Sequence, residues 1–180
     1  MIYLDYQATT PLAPEAAEAM GPWLEDKFAN PHSPSRLGSE AAAAVEVARA
    51  QVQSAIGLPG GSLAFTGSAT EALNWALKGT VEKSSRSRIV TVQTEHAAVL
   101  DSCSWLEAQG IDVTYLPVRA DGLLDVELLN AELEERVLLV AVMLVNNEIG
   151  VIQPVREIAN AAHEAGALML CDAVQGLGRV

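Results

Sequence analysis

The chain has 180 residues, half of them hydrophobic, with 23 acidic against 11 basic side chains and a formal net charge of −12. Such a length and apolar share suffice for a core without disulfides or metals, and the acidity argues against nucleic acid or anionic membrane as a partner, since phosphate binding needs clustered Lys and Arg. No run approaches the ~20 apolar residues of a membrane helix, and the start, MIYLDYQATT, puts a charge inside its first apolar stretch, unlike a secretory signal. Cys103 and Cys171 lie far apart with no CxxC pair, so both are expected to be buried thiols of a cytoplasmic protein.

In chain order, PEAAEAMGPWLEDKF predicts a helix with Pro14 in its first turn, and NPHSPSRLG predicts a loop. SEAAAAVEVARAQVQSAIG predicts a long helix capped by Ser39 and stopped by Gly57. Strands and helices then alternate. SLAFT is a short strand, SATEALNWALKG a helix closed by Gly79, RIVTVQ a strand, and EHAAVLDSCSWLEAQG a helix closed by Gly110. DVTYLPV is a strand, DVELLNAEL a short helix, RVLLVAVML a continuously apolar strand, PVREIANAAHEAG a helix closed by Gly166, and ALMLCDA the last strand. No repeat, linker or internal boundary interrupts residues 1–180, which read as one domain. Continuous apolar strands alternating with amphipathic helices predict an α/β fold, a mainly parallel sheet with helices on both faces.

Ligands of such sheets bind beyond the carboxyl ends of the strands, so the polar residues there carry the functional reading. After SLAFT comes GSATEALN: small residues opening a helix whose free N–H groups suit an anion, with Thr70 adding a hydroxyl. The plain alternative is an ordinary turn capped by Ser68. After RIVTVQ, His96 opens a helix and is placed to lie flat on a ligand, or simply to cap. No second His or Cys stands at zinc-ligand spacing from it. After RVLLVAVML, the pair Asn146 and Asn147 is costly unless satisfied, by a ligand or by a turn of its own. After ALML, Asp172 stands at the rim of an apolar strand and needs a cation. A helix N-terminus for phosphate, an imidazole, amide donors and a carboxylate for a ring nitrogen together match pyridoxal phosphate.

The stretches YLDYQATTPL, ANPHSPSRLG, FTGSATEALNWALKG, TEHAAVLDSC, VNNEIGVIQPV and CDAVQGLGRV resemble, in the same order, the N-terminal half of the cysteine desulfurases, which are pyridoxal-phosphate enzymes of the class V aminotransferase family. The resemblance implies the large domain of a fold-type I pyridoxal-phosphate enzyme, truncated. It implies that the Ala69 backbone and Thr70 hydroxyl bind the cofactor phosphate. His96 would stack on the pyridine ring and help move protons. Asn147 would lie near the phenolic oxygen and the substrate carboxylate, Asp172 would pair with the pyridinium nitrogen, and Gln175 would bond the phenolic oxygen. The implied activity is removal of sulfur from L-cysteine, leaving alanine and a persulfide for a sulfur-acceptor or scaffold protein that serves iron–sulfur or thio-cofactor synthesis. The implied assembly is a homodimer or a complement supplied by the missing half.

Two departures stand out. The family usually reads Thr-Ser-Gly-Ala-Thr-Glu where this chain reads TGSATE, so backbone strain is expected at Ser68. The resemblance also puts the Schiff-base lysine, the catalytic cysteine and the small C-terminal domain beyond Val180. Of the three lysines here, Lys27, Lys78 and Lys83, none is in a context to replace the first, and Cys103 and Cys171 are not expected to replace the second. A selenocysteine lyase, a class V aminotransferase and a non-catalytic fragment needing a partner chain remain alternatives. A dinucleotide-binding domain is set aside for want of GxGxxG after the first strand.

Overall fold

The computed structural model describes residues 2–58, 60–133 and 136–180. They form two compact units, up to Phe65 and from Thr66 onward, although nothing in the composition marks that boundary.

The first unit holds two helices. Helix α1 spans Pro14–Leu24, with Pro14 in its first turn, where a missing N–H costs little, and Pro22 near its end. Helix α2 spans Arg36–Ala55. Its cap is Ser35, whose side chain accepts from the Gly38 N–H at 3.1 Å, rather than the expected Ser39. The loop ahead of it folds back so tightly that a Cβ at Gly38 would lie 2.3 Å from the Ser33 carbonyl oxygen, so the helix begins inside the segment expected to be loop. The expected strand SLAFT is absent: residues 62–66 are unassigned, because no described segment offers it a hydrogen-bonded partner.

The second unit is the α/β sheet. Helix α3 spans Ala69–Glu82, followed by β1 (Arg88–Val92), α4 (Ala97–Glu107), β2 (Asp112–Leu116), α5 (Val126–Glu132), β3 (Val137–Ala141), α6 (Val155–Glu164) and β4 (Leu168–Leu170). The sheet is four-stranded and parallel throughout, in the order β2-β1-β3-β4. The helices cover both faces, as expected. Val90, Val92, Val140 and Val142 pack with Leu129 of α5 and Ile158 and Ala162 of α6. Ile89, Leu139 and Ala141 pack with Leu73 and Leu77 of α3 and Val99, Cys103 and Leu106 of α4. Every residue of β1 and β3 is buried, which is why these strands read as unbroken apolar runs rather than alternating ones.

Gly57, Gly110 and Gly166 take positive φ just past their helices, as predicted. Gly79 does not stop α3, which runs on to Glu82. Leu77 is fully buried and Val81 packs on the same core, so burial carries the helix past one glycine.

Candidate functional site

Three turns at the carboxyl end of the sheet, and the start of α3, hold the residues singled out above. Ala69 and Thr70 form the exposed first turn of α3. Ser68 is extended, with φ −165° and ψ 164°, and no non-glycine residue described has positive φ, so the expected strain is not there. The serine caps instead: its hydroxyl accepts from the Glu71 N–H at 3.2 Å, while the Glu71 carboxylate accepts from the Gly67 N–H at 2.7 Å. This reciprocal arrangement resembles a capping box. It leaves the Ala69 and Thr70 N–H groups, and the Thr70 hydroxyl, without an acceptor or donor among the described residues. Those are the groups an oxyanion at a helix start would take.

His96 is the N-cap of α4, its Nδ1 accepting from the Ala98 N–H at 3.1 Å. It is exposed, so it both caps and remains open to a ligand. The two asparagines divide their roles. Asn146 is buried and makes the turn: its Oδ1 accepts from the Glu148 and Ile149 N–H groups at 2.8 and 2.9 Å. Asn147 is half-buried, and its side chain has no hydrogen bond among the described residues.

Asp172 follows β4 and is held to the β3 end by its carbonyl, which accepts from the Leu144 N–H at 2.8 Å. One carboxylate oxygen accepts from the Val174 N–H at 3.0 Å. Among the described residues it has no cationic partner. Gln175 lies in the next turn, where its Oε1 accepts from Arg179 at 2.7 Å. The turn is pressed on the β3 end, since a Cβ at Gly176 would come within 2.4 Å of Leu144 Cδ2. The ends of β1, β3 and β4 are therefore tied together, and with them His96, Asn147, Asp172 and Gln175. Helix α3, which Ala69 and Thr70 open, packs through Leu73 and Leu77 on α4, the helix that His96 caps.

Sequence reasoning passed over Glu95, which is 6% exposed and accepts from the Met143 N–H at 2.7 Å. Burial pushes its carboxyl up to about 7; the Met143 N–H opposes this, and the nearby Asp172 charge adds to it. Its only sequence signal is a carboxylate between an apolar strand and a helix cap. Cys103 is fully buried, as expected, whereas Cys171 is exposed, because it lies just past the edge strand. Burial raises the Cys103 thiol to about 11, and partial covering of its sulfur together with the Asp172 and Glu95 charges raises the Cys171 thiol to about 11 even though that residue is exposed overall, so neither is poised as a thiolate nucleophile.

The arrangement fits a phosphorylated pyridine cofactor: free helix-start N–H groups for the phosphate, and a carboxylate lacking a cation for a ring nitrogen. A parallel sheet with helices on both faces and a polar site at its carboxyl end is the large-domain architecture of the fold-type I pyridoxal-phosphate enzymes. The family profile described as Aminotransferase class-V matches residues 2–180, and the chain belongs to that family, whose members use pyridoxal phosphate. It is 47% identical to the cysteine desulfurase IscS of Rickettsia bellii (strain OSU 85-389) over 99% of its own length and 44% of that protein's. A solved NifS-like protein superposes with a TM-score of 0.95 at 34% identity, over 99% of this chain and 50% of that one. SspA, solved in complex with cysteine, superposes with a TM-score of 0.87 at 34% identity, over 94% of this chain and 49% of that one. The chain thus spans about half the length of the relatives it matches.

Proposed function

We propose that residues 1–180 are the N-terminal part of the large domain of a cysteine desulfurase and supply its cofactor cradle. On this reading the Ala69 and Thr70 N–H groups and the Thr70 hydroxyl hold the phosphate. Asp172 holds the ring nitrogen in its protonated state, Gln175 bonds the phenolic oxygen, and Asn147 serves that oxygen and the substrate carboxylate. His96 stacks on the ring and carries a proton at the imidazole nitrogen not engaged by Ala98. When bound, pyridoxal phosphate supplies an electron sink for bond breaking next to the substrate amine. The substrate is L-cysteine, the products are alanine and a persulfide, and the sulfur passes to an acceptor or scaffold protein. On this reading the lysine that anchors the cofactor and the cysteine that carries the sulfur lie outside residues 1–180. The enzyme would work as a dimer in the cytoplasm.

The observation that carries the reading is Asp172, a half-buried carboxylate at a strand end with no cation beside it among the described residues. The identity to a cysteine desulfurase and the likeness to a relative solved with cysteine point to the substrate. The test is calorimetric binding of pyridoxamine phosphate, which has the phosphate, ring nitrogen and phenolic oxygen but no aldehyde to react with surface lysines. Asp172→Asn should weaken binding at least about tenfold, the scale of losing one partner of a desolvated charge pair. Equal affinity in the two proteins would overturn the assignment.

A further inference from the structure

Two buried polar side chains, Glu95 and Asn146, have no part in the cradle described above, yet each stands one residue before a member of it. Glu95 precedes His96 and Asn146 precedes Asn147. They are 6% and 5% exposed. The parallel pairing of β1 with β3 ends at Thr91 and Ala141. Beyond that point the ladder stops, with Gln93 bonding β2 and Val142 bonding β4, and the facing backbone groups need other partners. The side chains provide them, each crossing to the other strand's continuation. Glu95 Oε1 accepts from the Met143 N–H at 2.7 Å, and Asn146 Nδ2 donates to the Thr94 carbonyl at 2.7 Å. Asn146 Oδ1 meanwhile fixes the following turn through the Glu148 and Ile149 N–H groups.

We propose that Glu95 and Asn146 are a reciprocal pair of positioning residues that replace the missing rungs between β1 and β3 and so fix the separation of His96 and Asn147. The inference rests on the functional reading above, in which those two residues flank one cofactor. A continued ladder would have kept both segments extended, with alternate side chains on opposite faces. Side-chain rungs let each backbone turn outward while the strand ends stay in register. Glu95 interacts with Asp172 and Cys171 beyond β4 and with Cys103 from α4. Its role as acceptor needs only a carbonyl-type oxygen, which a protonated carboxyl or an amide also has.

The test compares the chain with Glu95→Gln, Glu95→Ala and Asn146→Asp. It measures pyridoxamine phosphate affinity and hydrogen exchange at the Met143 amide. Glu95→Gln keeps the acceptor, and should hold affinity within about twofold and, near pH 4 where the Glu95 carboxyl is protonated in both folded and unfolded chain, Met143 protection within about twofold as well. Glu95→Ala should raise Met143 exchange and weaken binding by about tenfold, the scale of one buried hydrogen bond left unmade. Asn146→Asp keeps the turn acceptor but loses the donor to Thr94, and should weaken binding severalfold. If Glu95→Ala does not fold, the Gln and Asp variants still decide. Binding unchanged in Glu95→Ala or Asn146→Asp, or Glu95→Gln as poor as Glu95→Ala, would overturn the proposal. Should the unmodified chain not bind the ligand, the functional reading fails by itself. Met143 exchange then still reports on the brace: faster in Glu95→Ala alone upholds it, unchanged overturns it.

Discussion

The burial of Glu95 sets a pH dependence that one substitution isolates. Its carboxyl titrates near 7 in the folded chain against 4.5 for the free group. Between those values the folded state holds a proton that the unfolded state has released, so stability falls as pH rises. The group imposes no penalty below about pH 4.5 and its full penalty above about pH 7; at about 1.4 kcal/mol per pH unit of displacement that penalty is roughly 3 kcal/mol. Glutamine mimics the protonated acid and cannot ionise. Glu95→Gln should therefore match the parent within about 0.5 kcal/mol near pH 4, and exceed it by on the order of 3 kcal/mol near pH 8.5. Urea denaturation at the two pH values, read as the difference between the two proteins, cancels the other titrating groups. A difference that stays constant with pH would mean that Glu95 ionises in the folded chain as easily as in water, and that its burial carries no such penalty.

Ser68→Ala removes the α3 cap and should cost about 1 kcal/mol in urea denaturation, with a change below about 0.3 kcal/mol counting against the capping role. Gly122 has φ +82° and would place a Cβ 2.7 Å from Val151 Cγ2. Gly122→Ala should therefore cost at least about 1–2 kcal/mol, the penalty of a left-handed residue with overpacking added, and a neutral result would mean the turn can relax. Leu129 is fully buried between α5 and the sheet. Leu129→Ala should cost about 3 kcal/mol, and a cost below about 1 kcal/mol would place it outside the core.

The sheet was legible because β1 and β3 are buried along their whole length, so RIVTV and VLLVA advertise themselves without needing any knowledge of their neighbours. SLAFT carries a similar pattern but is not a strand, since a strand also requires a partner, and pairing is not a local property of sequence. The start of α2 was misplaced because two serines, Ser35 and Ser39, both suit a cap, and the packing of Ser33 on Gly38 decides between them. Position after a strand was enough to single out His96, the Asn146–Asn147 pair and Asp172 as candidates. It could not separate Asn146 from Asn147, which differ only in which of them the turn uses. Glu95 escaped notice because its burial depends on Met143, 48 residues further along the chain.

On the proposed function, one phosphopyridine binds across the α3 start and the ends of β1, β3 and β4. Backbone-amide NMR during titration with pyridoxamine phosphate tests it most directly. Saturable shifts are expected at Ala69 and Thr70, His96, Asn147, Asp172 and Gln175, with the far end of the sheet around Arg88 and Asp112 unmoved. Shifts confined to other surfaces, or absent while the chain remains folded, would contradict it.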